Sequence, residues 1–114
     1  MIINGIELED LDANDYDTAK KVEVELVKIK DIEKKVSGLN QSELIKVTSD
    51  YINNFFDNVF GEGTSEKLFK GKKNLVTSIK AMEDFYKNYN ESKSAIDDIL
   101  KKYSPNRATR RSKK

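Results

Sequence analysis

The sequence predicts an all-α fold, a helical bundle of two mid-length helices, one short helix and one long C-terminal helix, with a small β-hairpin at the N-terminus. Three observations carry this expectation. Apolar residues recur at spacings of three and four through most of the chain, as one buried face of an α-helix requires. Four of the five glycines (Gly38, Gly61, Gly63 and Gly71) fall between those periodic stretches, where helices have to stop. The composition, 37% hydrophobic beside 36% charged, suits amphipathic helices with densely solvated outer faces.

Residues 1–8 read as a tiny hairpin, because Asn4-Gly5 is a strong two-residue turn signal and Ile2, Ile3, Ile6 and Leu8 flank it. A lone hairpin is marginal in water, so it is expected to lie on the helices. The first helix is expected over about 15–36, capped by Asn14 or Asp15, with Ala19, Val22, Leu26, Ile29, Ile32 and Val36 on one stripe. Ser37-Gly38 stops it. The second, over about 41–60, opens on Asn40 as cap with Glu43 at the third helical position and Leu39 placed to staple to Leu44. Leu44, Val47, Tyr51, Phe55 and Val59 share one edge, and Ile45, Ile52, Phe56 and Phe60 widen it, which makes this the central helix.

Residues 61–75, GEGTSEKLFKGKKNL, form the corner of the chain. Gly61 and Gly63 can end the second helix, Gly71 can end a short helix over about 65–70, and Leu68 and Phe69 are placed to plug the bundle end. Asn74 is expected to cap a last helix over about 74–103, roughly 45 Å long at 1.5 Å per residue. Its apolar residues step by four and three as a heptad seam: Leu75, Ile79, Met82, Tyr86, Tyr89, Ile96, Leu100 and Tyr103, broken by Lys93. A kink between Asn88 and Ser92 is the alternative to one continuous helix. Helices of about 20 residues are near 30 Å long, so the seam from Ile96 to Tyr103 is expected to project. Ser104-Pro105 ends the helix, the single domain is expected over 1–105, and 106–114 is expected to be disordered when free.

The residue inventory excludes many chemistries. There is no Cys, hence no disulfide and no thiolate metal site, and no His, the commonest general base and zinc ligand. No window approaches the roughly 20 apolar residues of a membrane helix, so a soluble protein without a membrane partner is expected. Asp10, Asp12 and Asn14 alternate as in an EF-hand, but Asp15 stands where that loop needs Gly and Lys21 where it needs Glu. The corner glycines do not make a P-loop either, since Glu66 occupies the place of its first glycine and Lys73 that of its Ser or Thr. Lys70, Lys72 and Lys73 read as a solvated turn. Asp97-Asp98 and Glu83-Asp84 are neighbours in sequence, diverge by about 100° on a helix, and are assigned to its outer face. No catalytic, cofactor or metal residue is assigned, and the protein is not expected to be an enzyme.

The net charge of +1 conceals a polarity. Residues 1–17 carry six acids and no base; residues 101–114 carry seven bases and no acid, including all three arginines, Arg107, Arg110 and Arg111. Such asymmetry suits ends that engage a partner or each other. Nucleic acid is not the expected partner, because no basic face accompanies the tail and the acidic end would repel phosphate.

The corner GEGTSEKLFKGKKNL, the opening INGIEL (3–8) and the ending SPNRATRR (104–111) together resemble the small tail assembly chaperones of long-tailed bacteriophages and prophages of Gram-positive hosts. That resemblance implies a protein that binds the long helical tape measure protein and keeps it soluble during tail morphogenesis in the cytoplasm of the infected or lysogenic host. The partner surface expected beside it is Ile96, Leu100 and Tyr103 with Arg107, Arg110 and Arg111. The competing readings are a small DNA-binding phage regulator or packaging factor acting through the basic tail, and a homo-oligomer paired through the seam.

Overall fold

In the computed structural model the chain runs β1 (Ile2–Ile3), β2 (Ile6–Glu7), α1 (Tyr16–Lys30), α2 (Ile32–Val36), α3 (Gln41–Phe60), α4 (Thr64–Phe69) and α5 (Leu75–Tyr103). The structure describes the backbone of residues 1–103 and the side chains of residues 1–91. The mainly helical class and the two-stranded hairpin agree with the sequence.

Helix α3 is central: α1, α2, α4 and α5 all pack against it. Its start is set by Asn40, whose Oδ1 accepts the Glu43 amide at 2.9 Å. One face buries Ile52, Phe55, Phe56 and Val59. Against them α5 sets Phe85, which lies 4.9 Å from the Phe55 ring, 6.4 Å from Phe56 and 6.2 Å from Phe60 in edge-to-face geometry. Phe85 is fully enclosed, so truncation to Ala costs about 3–5 kcal/mol, a large share of a small domain's stability.

The first helix departs from expectation. It breaks at Asp31, whose amide donates to Lys28 O and whose carbonyl accepts from both Lys34 and Lys35, each at 3.1 Å. With φ −69° and ψ −14°, Asp31 closes a tighter turn than α-helix, and α2 follows it against α3. Aspartate competes with the helical ladder for hydrogen bonds, which weakens that position. The apolar stripe hides the break because Leu26, Ile29 and Ile32 pack on the same core from either side of it.

The corner turns the chain back so that α5 can start beside the middle of α3. Gly61 (φ 121°) and Gly63 (φ 93°) adopt angles that a side chain resists. Asp57 of α3 then grips α4 directly, one carboxylate oxygen accepting the Ser65 amide and the other its hydroxyl, both at 2.8 Å. Leu68 and Phe69 are buried as expected, Phe69 against Phe56. The short helix spans 64–69 and its first left-handed residue is Lys70 (φ 53°), followed by Gly71 (φ 76°). Lys73 is not simply a solvated turn residue, for it pairs with Asp50 of α3. Asn74 caps α5 as expected, accepting the Thr77 amide at 3.1 Å.

The hairpin lies on α5. Asn4 (φ 50°) and Gly5 (φ 79°) both take left-handed angles, the form Asn-Gly favours, and Ile3 pairs with Ile6. The Asn4 amide donates to Asp84 Oδ2 at 2.9 Å, and its side-chain nitrogen donates to Thr77 O at 3.0 Å. Asp84 is therefore half-buried and anchors the hairpin, a correction to its assignment to the outer face. Ile3 beneath the turn is completely enclosed.

A side chain at Gly71 would meet nothing nearer than the Glu66 carboxylate at 3.8 Å, so substitution there tests backbone conformation alone. Gly71→Val is expected to destabilise the fold by about 1–3 kcal/mol in denaturant titration, and Gly71→Asn by clearly less, because Asn tolerates the left-handed region. Equal midpoints for wild type and the Val variant would show that this angle does not hold the corner.

Candidate partner-binding site

The expected partner residues lie on the last helix and beyond it, so the site begins with how α5 is held. Contacts along α3 and α5 advance in step. Ser49 Oγ and Ser78 Oγ are 3.5 Å apart, and seven residues further along α5 Phe85 meets Phe55 and Phe56. The two helices therefore run parallel, with Phe60, the last residue of α3, still touching Phe85. Tyr89 stacks on Phe85 at 5.3 Å and is the last buried residue of α5 among the described side chains. Beyond it α5 continues to Tyr103, a further 14 residues or about 21 Å. It does so as one unbroken helical segment.

The register of that helix corrects the expected seam. The face turned to the core carries Ser78, Ala81, Met82, Phe85 and Tyr89, whereas Ile79 and Tyr86 are exposed. Only Met82 and Tyr89 belong to both. The seam had passed over Phe85 because its neighbour Tyr86 fits a three-four alternation equally well; the phenylalanines of α3 decide the matter. Stepping on from Met82, Phe85 and Tyr89 by the same alternation reaches Ser92, Ile96, Ile99 and Tyr103, so Ile96 and Tyr103 keep the core register and Leu100 flanks it. The side chains of Ile96, Leu100 and Tyr103, and the whole of Arg107, Arg110 and Arg111, lie outside the described residues.

The acidic N-terminal segment comes close to the same end of the bundle. Met1, Asp10, Leu11 and Asn88 line one shallow cavity, which places residues 10 and 11 beside α5 just before the extension begins. Asn88 itself donates to Asp84 O at 2.8 Å and to Ile2 O at 3.4 Å. Several of the acids have local duties. Asp10 pairs with the Met1 amino group, Asp12 Oδ1 accepts the Asn14 amide, and Asp15 caps α1 through the Thr18 amide at 3.0 Å. The run of acids suits ends that engage a partner; for these three an ion pair to the amino terminus, a turn and a helix cap are the contacts present.

Sequence reasoning missed the polar residues that join elements. Glu25 is buried on α1, where Asn58 of α3 donates to one oxygen at 2.9 Å and Lys28 to the other at 3.0 Å. Asp57 and Asp84 hold the corner and the hairpin. Apart from the Glu25–Lys28 pair within α1, the partners come from other elements, so sequence spacing does not reveal them. Among the described residues no group of three acids could hold a metal ion, and no helix is long and apolar enough to cross a membrane. What the arrangement offers is a helix whose backbone continues past the core through residues 90–103, with Ile96, Ile99 and Tyr103 at the core register in sequence.

Two phenols mark the point where the extension leaves the core. Partial desolvation against Phe85 raises the pKa of Tyr86, whose ring is otherwise exposed, and burial followed by the nearby Glu23 carboxylate raises that of Tyr89. A phenol whose pKa is higher in the folded state favours folding fully below its unfolded value of about 10, and that advantage is lost as pH rises through the folded pKa. Urea midpoints are therefore expected to fall above about pH 10, and to fall less in a Tyr86→Phe, Tyr89→Phe variant. Identical slopes for the two proteins would remove these phenols as the cause.

A family of unknown function, DUF6673, matches over residues 4–114. Neither a curated protein nor a solved structure matches the chain.

Proposed function

We propose that this chain, which belongs to the DUF6673 family, is a non-catalytic tail assembly chaperone that binds the phage tape measure protein and keeps it soluble while the tail is built. The observation that supports this reading is the extension of α5 for about 21 Å past Tyr89, in which the same register, after the polar step at Ser92, resumes apolar residues at Ile96, Ile99 and Tyr103. A helix end of that kind suits a long amphipathic helix, which lays its apolar side along a matching stripe. In this reading Ile96, Leu100 and Tyr103 supply the apolar contact, and Arg107, Arg110 and Arg111 pair with carboxylates on the same partner. Contacts spread over a stripe and a tail are individually weak, so the complex can release its cargo when the tail protein polymerises around it. The place of action is the cytoplasm of the bacterial host. The resemblance of the corner, the opening strand pair and the tail to tail assembly chaperones supports the same reading.

Co-expression with the tape measure protein of the same phage tests it. The chain is expected to raise the soluble tape measure recovered by at least severalfold, Ile96→Asp with Tyr103→Asp to abolish the gain, and an Arg107→Ala, Arg110→Ala, Arg111→Ala variant to reduce it. No gain with the wild-type chain would overturn the chaperone reading, and full gain with the triple variant would remove the tail from it.

A further inference from the structure

Helices α1 and α3 leave a cavity between them at the place where the first helix breaks. Glu25 and Lys28 of α1, Asp31 at the break, and Tyr51, Asn54 and Phe55 of α3 line it, and its volume is about 190 Å³. Sites for drug-sized ligands run to roughly 300–1,000 Å³, so this one has room for a single side chain. Its α3 wall is one helical face, because Tyr51, Asn54 and Phe55 recur at spacings of three and four.

The lining is acidic and its hydrogen-bonding capacity is only partly used. Glu25 is 7% exposed, and each of its oxygens accepts one bond, from Asn58 and from Lys28. A carboxylate can accept about four, so capacity remains on both oxygens. The Asp31 carboxylate does not cap α2, and it makes no ion pair among the described residues. Lys30, Lys34 and Lys35 flank Asp31 in sequence, yet none of them lines the cavity or pairs with it. Two carboxylates and the Lys28 ammonium leave the lining with one uncompensated negative charge. The Tyr51 hydroxyl and the Asn54 amide add two polar groups that no other described residue engages.

We infer that this cavity receives the guanidinium group of one arginine on a partner protein. The open groups are mostly acceptors, and a guanidinium brings five donors with the single positive charge that the lining lacks. Its flat fork suits a two-point contact with Asp31, and its face suits the half-buried Tyr51 ring. A lysine ammonium offers three donors and no plane, and a neutral group leaves the Asp31 charge unmatched. The break at Asp31 is part of the site, since it is there that the carboxylate joins Glu25 on the cavity wall. No residue of α5 lines the cavity, so the site is separate from the proposed cargo stripe and does not rest on the chaperone reading.

Titration of the full chain with acetyl-arginine-amide, followed at each backbone amide by NMR, tests the inference. Saturable shifts in the millimolar range are expected at residues 25–31 and 51–55, with weaker binding of acetyl-lysine-amide and none of the uncharged acetyl-citrulline-amide. Asp31→Asn is expected to weaken binding by about tenfold without unfolding the chain, because Asp31 is exposed. Lys28→Gln is expected to tighten it several-fold by removing the competing ammonium. An Arg107→Ala, Arg110→Ala, Arg111→Ala chain is expected to bind as the wild type does. No saturation up to about 20 mM, equal binding of the citrulline analogue, indifference to Asp31→Asn or no gain from Lys28→Gln would each overturn the site. A clear gain in the triple variant would place the chain's own tail in the cavity and overturn its assignment to a partner. Tighter binding of free L-arginine than of the blocked form would overturn it too, in favour of the free amino acid.

Discussion

Phe85 pressed against Phe55, Phe56 and Phe60 fixes the rotation of α5, and most of the molecule's outward character follows from that rotation. A helix has one free angle about its axis, and one large enclosed side chain is enough to set it. With Phe85 inward, Asp84 falls about 100° away, on the edge where the hairpin lies, and takes the Asn4 amide. Ile79 and Tyr86 fall on the opposite edge and face solvent. A different seam would have buried those two and lost the hairpin its anchor. The aromatic cluster thus decides which apolar residues are spent on the core and which stay available to a partner.

Parallel helices need a return between them, and the corner supplies one in 14 residues, 61–74. The backbone there spends four positions at left-handed or otherwise unusual angles, Gly61, Gly63, Lys70 and Gly71. Three are glycine, where such angles are easily reached; Lys70 is the exception and costs something of the order of 1 kcal/mol. The hydrogen bonds of Asp57 to Ser65 and the burial of Leu68 and Phe69 offset that cost from the inside of the turn. Lys73 bound to Asp50 adds little, since both groups are well exposed, but it marks where the chain has come back to: a level some ten residues before the end of α3.

Features governed by neighbours in sequence were legible. The Asn4-Gly5 turn, the Asp15, Asn40 and Asn74 caps, the stops at Gly38 and Gly61 and the burial of Leu68 and Phe69 all follow from a few adjacent residues, and all are present. Two expectations failed for one reason. The break at Asp31 and the phase of α5 are choices between local patterns of nearly equal quality, settled by what α3 presents across the contact. A stripe of Leu26, Ile29 and Ile32 is compatible with one helix or with two that share a core. A run containing both Phe85 and Tyr86 is compatible with either seam until the facing rings are known. The joining contacts of Asp57, Asp84 and Glu25 were out of reach for the same cause, since Ser65, Asn4 and Asn58 lie 8, 80 and 33 residues away on other elements. Among the described side chains of α5, only the structure distinguishes the exposed Ile79 and Tyr86 from the buried Phe85 and Tyr89.

The length of α5 has its own physical logic. An isolated helix of 14 residues is marginal in water because its first turn must be fixed for a single hydrogen bond. The extension beyond Tyr89 avoids that step, since it propagates from a helix whose first half is held by α3 and by the hairpin. Each added residue then gains one bond for one residue ordered, close to balance. A segment near that balance is inexpensive to hold ready and is readily stabilised by whatever lies along it. The core therefore does more for the proposed cargo site than position it: by nucleating α5 it presents Ile96, Ile99 and Tyr103 on a helix already formed, so that binding need not begin by ordering a flexible chain.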